Sequence, residues 1–165
     1  MRKTWVQKLA DKKNMPKVLR LEKGFPCYNA MHKMGADAGD KVILVNPSEI
    51  VPIMAKVSKG KIITVIEICK AIAKKYKVKG CCSLTTGIFI MTAANAAQEV
   101  IDNHEKSVLT KLPYWRTLKS DGFLNDKYPG GALNQKKLLE KEGIKVISRG
   151  KKYQVENWGK YLFKI

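Results

Sequence analysis

At 165 residues and 18.6 kDa the chain is long enough for one domain, or one domain with an extension. A globule of this size hides roughly 70% of its unfolded surface, and 45% apolar with 28% charged residues excludes disorder along the whole chain. Thirty-two Lys and Arg against fourteen Asp and Glu give a net charge of +18, which directs the chain to anionic partners, nucleic acid before anionic membrane. Only Arg2, Arg20, Arg116 and Arg149 are arginine; the other bases are lysine, an excess that a biased genome composition also produces.

The four cysteines, Cys27, Cys69, Cys81 and Cys82, form no C-x-x-C pair, and the two histidines, His32 and His104, are far apart. Neither a zinc site nor a disulfide framework is expected. Met1 to Lys13 has no hydrophobic signal core, and the uncharged run Gly80 to Gln98 carries too many Thr, Gly and Asn for a membrane span. The expectation is a reducing, cytoplasmic setting with no membrane and no cofactor.

In chain order, Thr4 to Lys13 reads as a short amphipathic helix, interrupted by Met15-Pro16 and Gly24-Phe25-Pro26. Lys41 to Val45 predicts a strand, Asn46-Pro47-Ser48 a helix start, and Glu49 to Lys56 a short helix. Thr64 with Glu67 forms a capping-box pattern. Behind it Val65, Ile68, Cys69, Ile72, Ala73 and Tyr76 recur as one buried helical stripe, with Lys70, Lys74, Lys75 and Lys77 off it. After a break at Lys79-Gly80, a second helix is predicted from about Leu84 to about Val100, capped by Ser83, Thr85 or Thr86. The pair is a helix-turn-helix candidate. Asp121-Gly122 and Tyr128-Pro129-Gly130-Gly131 read as turns, Ala132 to Glu142 as a third helix ended by Gly143, and Ile144–Ser148 with Lys152–Val155 as a hairpin. The order of elements is that of a winged helix, mainly α with short β elements (α+β). Residues 1–55 are expected to form an N-terminal extension packed on a DNA-binding domain of residues 56–165.

Several of these residues resemble a known family. Gly60-Lys61-Ile62-Ile63-Thr64 with Ile68 and Ala73 is similar to the opening of the DNA-binding domain of O6-alkylguanine-DNA alkyltransferases. Asp121-Gly122, Tyr128, Gly130-Gly131, Leu138-Leu139 and Glu142-Gly143 resemble that family's C-terminal signature. Pro113-Tyr114-Trp115-Arg116 stands where the family carries Pro-Cys-His-Arg. The resemblance spans roughly residues 56 to 143 and implies the family's winged-helix-like C-terminal-domain fold. It also implies a lost activity. The family transfers an alkyl group to a cysteine thiolate made available by a His that a Glu holds. Here those positions are Tyr114, Trp115 and Glu142, and a phenol of pKa about 10 with no base beside it is a poor nucleophile. The chain thus resembles the non-enzymatic alkyltransferase-like group, which binds alkylated DNA without repairing it. The arginine that the family inserts into the base stack falls near Thr86, the nucleotide-rotating tyrosine near Val65, and the hinge asparagine matches Asn95.

The expected partner is double-stranded DNA, alkylated DNA included, together with an unidentified repair protein. Tyr114, Trp115, Arg116, Tyr128 and Glu142 are the pocket candidates. Thr64, Lys70, Lys74, Lys75, Thr85, Thr86, Gly87, Asn95, Lys151 and Lys152 are the DNA-binding candidates, through phosphate contacts, a helix N-terminus and a hairpin tip. Each also has a plainer reading. The threonines are caps, the lysines a solvated face, Tyr114 and Trp115 a core aromatic pair in a strand, and Arg116 a structural residue. Two other functions stay open: an alkyltransferase using a displaced thiol such as Cys81 or Cys82, and a general basic winged-helix module for DNA or RNA.

Overall fold

The computed structural model describes residues 1–165. Its centre is a long helix, α5 (Ser83–Asp102), whose Ala93, Ala94, Ala96 and Ala97 are fully buried. Small side chains let neighbouring helices approach its axis. Around it lie α1 (Trp5–Ala10), α3 (Pro47–Lys56) and α4 (Val65–Lys75). The stripe expected in α4 is the buried one: Val65, Ile68, Cys69, Ile72 and Ala73 all face the core, and Lys70, Lys74 and Lys75 are exposed on the opposite side. Thr64 caps α4, its hydroxyl accepting from the Glu67 N–H at 3.4 Å. α1 begins in a capping box between Thr4 and Gln7, and the Glu99 carboxylate of α5 accepts its Trp5 and Val6 N–H groups at 3.2 and 2.9 Å.

A three-stranded sheet covers one flank. β2 (Lys41–Leu44) pairs antiparallel with β1 (Lys17–Arg20) and parallel with β4 (Gly80–Cys81). β1, β4 and the short helix α2 (Tyr28–Lys33) are additions to the sequence-based expectation. Ile43, Val45, Ile50 and Met54 share one core with residues of α4 and α5, together with Tyr114 and Tyr128. A second core unites α6 (Gly131–Glu140) with the hairpin of β6 (Val146–Arg149) and β7 (Lys152–Val155). Between the cores, β3 (Ile63–Thr64) runs parallel to β5 (Thr117–Leu118).

The Asp121-Gly122 turn requires its glycine twice over. Gly122 has φ +78°, and a Cβ there would lie 2.5 Å from the Trp158 ring. The aromatic pair expected in a strand instead forms a 3-10 turn at Tyr114–Arg116.

Candidate nucleic-acid interface

α5 starts from an unexpected cap. The Cys82 sulfur, rather than a Ser or Thr hydroxyl, accepts from the Thr85 N–H at 3.4 Å, and also faces the Thr85 hydroxyl. The following turn sorts its side chains by the helical period. Leu84 and Ile88, four residues apart, stand about half exposed on one face (52% and 53%). Thr86 points the other way and is buried at 1%, its hydroxyl 3.5 Å from the Cys81 sulfur. Thr86 therefore cannot present a side chain to a duplex, nor stand where an inserted arginine would. The exposed positions at the start of the helix are Leu84 and Ile88.

These two side chains form one edge of a cleft of about 510 Å³. Gly87 and Met91 continue that wall, and a Cβ at Gly87 would meet open space. Lys119, Ser120 and Phe123 come from the turn after β5, Lys127 and Tyr128 from the turn before α6, and Lys152 from the start of β7. Two links hold the walls together. The Asn95 side-chain amide donates to the Lys127 carbonyl at 3.0 Å and to the Met91 carbonyl at 2.9 Å, fixing the loop against α5. The buried Tyr128 hydroxyl donates to the Thr117 carbonyl at 2.7 Å. Asn95 is thus a positioning residue of the cleft.

Tyr114 does not line the cleft; it lies in the core, edge-on to Tyr128 and Trp115 with ring centroids 5.5 and 5.6 Å away. Burial, and then the charge of Asp102, pushes its phenol above the ordinary value. Trp115, Arg116 and Glu142 do not line the cleft either. They form a latch on the far side. Glu142 accepts from the Trp115 indole at 2.9 Å, from Arg116 Nη2 at 2.8 Å and Nε at 3.0 Å, and from the Gly60 N–H at 3.1 Å. Arg116 Nη1 donates onward to the Val57 carbonyl at 2.6 Å. Burial alone raises the Glu142 carboxyl, and its Arg116, Gly60 and Trp115 donors together overcome that and hold it below the ordinary carboxylate value.

The remaining candidates divide. Lys152 joins the cleft, Lys151 is exposed at the hairpin tip, and Thr85 faces an apolar groove on the other side of the Leu84–Ile88 ridge. Thr64 is buried as a cap. Lys75 is bound to Glu49 at 2.7 Å, and Lys70 sits 3.4 Å from Glu67. Neither they nor Lys74 touch the cleft. Sequence reasoning missed Lys119, Lys127, Leu84, Ile88 and Phe123. The one available signal was helical spacing: Leu84 and Ile88 fall on one face, and an apolar pair off the buried stripe marks a contact surface.

No family model and no curated protein matches the chain. Among solved structures it is similar to S. pombe ATL in complex with DNA, at 18% identity and a TM-score of 0.50, covering 72% of this chain and 94% of that one. S. pombe Atl1 in complex with damaged DNA containing O6-carboxymethylguanine aligns over the same shares at 19% identity and a TM-score of 0.49. The first likeness shows that the chain shares the α+β fold of that protein.

Proposed function

We propose that this protein is a non-enzymatic DNA-binding protein that grips duplex DNA with the start of α5 and recognises modified bases over the adjoining cleft. The observation that carries the reading is the cleft itself. Two protruding aliphatic side chains stand at one edge, and Lys119, Lys127 and Lys152 at the other. Lysines neutralise phosphates and position a duplex. Apolar side chains presented to a groove wedge into base steps and unstack them. At about 510 Å³ the cleft has the size of an ordinary small-ligand site, with the buried Tyr128 beneath it. The fold, shared with a protein solved in complex with DNA, supports the same reading.

Alkyl transfer by the family route has no support in this geometry. At the nucleophile position Tyr114 is a buried phenol whose proton is held more tightly than usual. At the base position, the Trp115 indole donates to Glu142, and its nitrogen lone pair, committed to the aromatic ring, cannot take a proton. A displaced thiol is disfavoured by access: Cys81 and Cys82 are both buried, and although the hydrogen bond from Cys69, with help from Thr86, lowers the Cys81 thiol against its burial, its sulfur is fully covered.

Fluorescence anisotropy with plain and O6-alkylguanine duplexes over a salt series tests the proposal. Wild type should bind duplex with a steep salt dependence. Replacing Lys119, Lys127 and Lys152 by Gln should flatten the log–log slope by up to ~2.7, at ~0.9 per phosphate contact. The preference for the alkylated duplex should be small, about tenfold (~1.4 kcal/mol) at most. No duplex affinity at low salt overturns the reading. A methyl gain on any cysteine, read by intact mass after incubation with methylated duplex, replaces it with the enzymatic one.

A further inference from the structure

A second basic surface lies apart from the cleft. Between the outer face of α4 and the last residues of the chain runs an open groove of about 1220 Å³. Lys70, Lys74 and Lys75 stand on the α4 wall, and Lys61, Lys160 and Lys164 on the other. Glu67 is the one acidic side chain lining it. The second wall is built onto the domain by backbone pairing: the Ile62 N–H donates to the Tyr161 carbonyl at 2.9 Å, and the Phe163 N–H to the Ile62 carbonyl at 2.8 Å. Lys61, Lys160 and Lys164 are therefore carried on a fixed segment. Lys75 and Lys70 are engaged by Glu49 and Glu67, whereas Lys61, Lys74, Lys160 and Lys164 have no acidic partner. Like charges gathered around one groove repel one another, and an anion that enters it relieves the repulsion.

The groove and the cleft share no lining residue. The buried stripe of α4 faces the core it shares with α5, so its lysines point away from α5. Contacts made within the cleft at the start of α5 therefore do not engage them. We infer that this groove binds the phosphate backbone of a second DNA segment, so that one chain bridges two duplexes. This rests on the reading of the cleft as a duplex site. The chemistry of the groove selects the backbone and not the bases. It presents ammonium point charges on both walls and no arginine fork, which suits phosphates without reading sequence.

The test is capture of a fluorescent duplex by a bead-bound duplex of different sequence, in the presence of the full chain. The comparison is with a variant carrying Lys61→Gln, Lys74→Gln, Lys160→Gln and Lys164→Gln. All four side chains are exposed, so the fold tolerates the changes. Wild type should bridge. The variant should capture at least about tenfold less second duplex, in line with up to four lost contacts at ~0.9 slope unit each, while its affinity for a single duplex stays within about threefold. Bridging that persists in the variant overturns the inference. So does a wild type that binds one duplex and captures no second, and that result leaves the cleft reading intact. A wild type with no duplex affinity overturns both. Displacement of the second duplex by polyglutamate more readily than by plain duplex, at equal charge, assigns the groove to an acidic chain and also overturns it.

Discussion

The two sides of the Tyr114–Arg116 turn have opposite characters. On one, Trp115, Arg116 and Glu142 satisfy one another in a half-dry network that ties the end of α6 to the loop before β3. On the other, beyond the Tyr128 ring, lies a cleft rimmed by unpaired lysines and protruding Leu84 and Ile88. The residues that the family resemblance marks for chemistry hold the domain together, while the lysines of the cleft side are left without acidic partners. A satisfied network and an open, basic cleft thus lie on either side of one buried tyrosine.

The largest effect expected from breaking this division is on stability. Glu142→Ala leaves the part-buried Arg116 guanidinium without its carboxylate and should cost about 3–4 kcal/mol, read as a lower urea midpoint at unchanged m. Duplex affinity of the still-folded fraction should not move; a parallel loss would show that latch and cleft are coupled. Thr86→Arg should come next, destabilising by about 3 kcal/mol, because it forces a long charged side chain into a site exposed by 1%. Its counterpart Leu84→Arg, at an exposed position, should leave the thermal midpoint nearly unchanged and steepen the salt dependence of duplex binding by ~0.9. Equal damage from both would place the exposed face of α5 elsewhere.

A pH series separates the latch from the rest. The Glu142 carboxyl titrates lower in the folded chain than its ordinary 4.5, so the unfolded chain takes up the proton first. The latch contribution is therefore complete above about pH 4.5 and is lost as pH falls through the folded value. Glu49 is also depressed: burial raises it, and bonds from Lys75 and Tyr76 more than offset that. The diagnostic quantity is thus the difference from Glu142→Gln, whose chemical stability should vary less between about pH 5 and 3. The smallest effect is at Thr117. Its buried hydroxyl has no partner among the protein's own groups, so Thr117→Val should be neutral or stabilising by up to ~1 kcal/mol in calorimetry.

Long periodic segments were legible in the sequence for a local reason. The α4 stripe writes its burial into spacings of three to four, and the hairpin of β6 and β7 is announced by the Arg149-Gly150-Lys151 turn between two short runs. β3, β4 and β5 have only two residues each and exist because a partner far along the chain supplies their hydrogen bonds. Nothing within Gly80-Cys81 announces a strand. The candidate site was legible in its positive charge and in α5, and its register was not. The resemblance placed the inserted side chain near Thr86, which is buried, whereas the exposed positions fall at Leu84 and Ile88; Asn95 holds the Lys127 loop. The lysines of the cleft come from three separate turns and hairpin ends, which only the tertiary fold brings together.

The sulfur cap at Cys82 gives α5 a gradient of stiffness. Sulfur is a weak acceptor, and no acidic side chain sits in the helix's first turn. Toward its other end, α5 is packed on its alanine face, and Glu99 carries the start of α1. Local opening follows the poorest-held hydrogen bonds. Amide exchange should therefore be fast from Leu84 to Gly87 and slow from Ala93 to Ala97, so the first turn adjusts its pitch while the body of the helix stays a fixed rail.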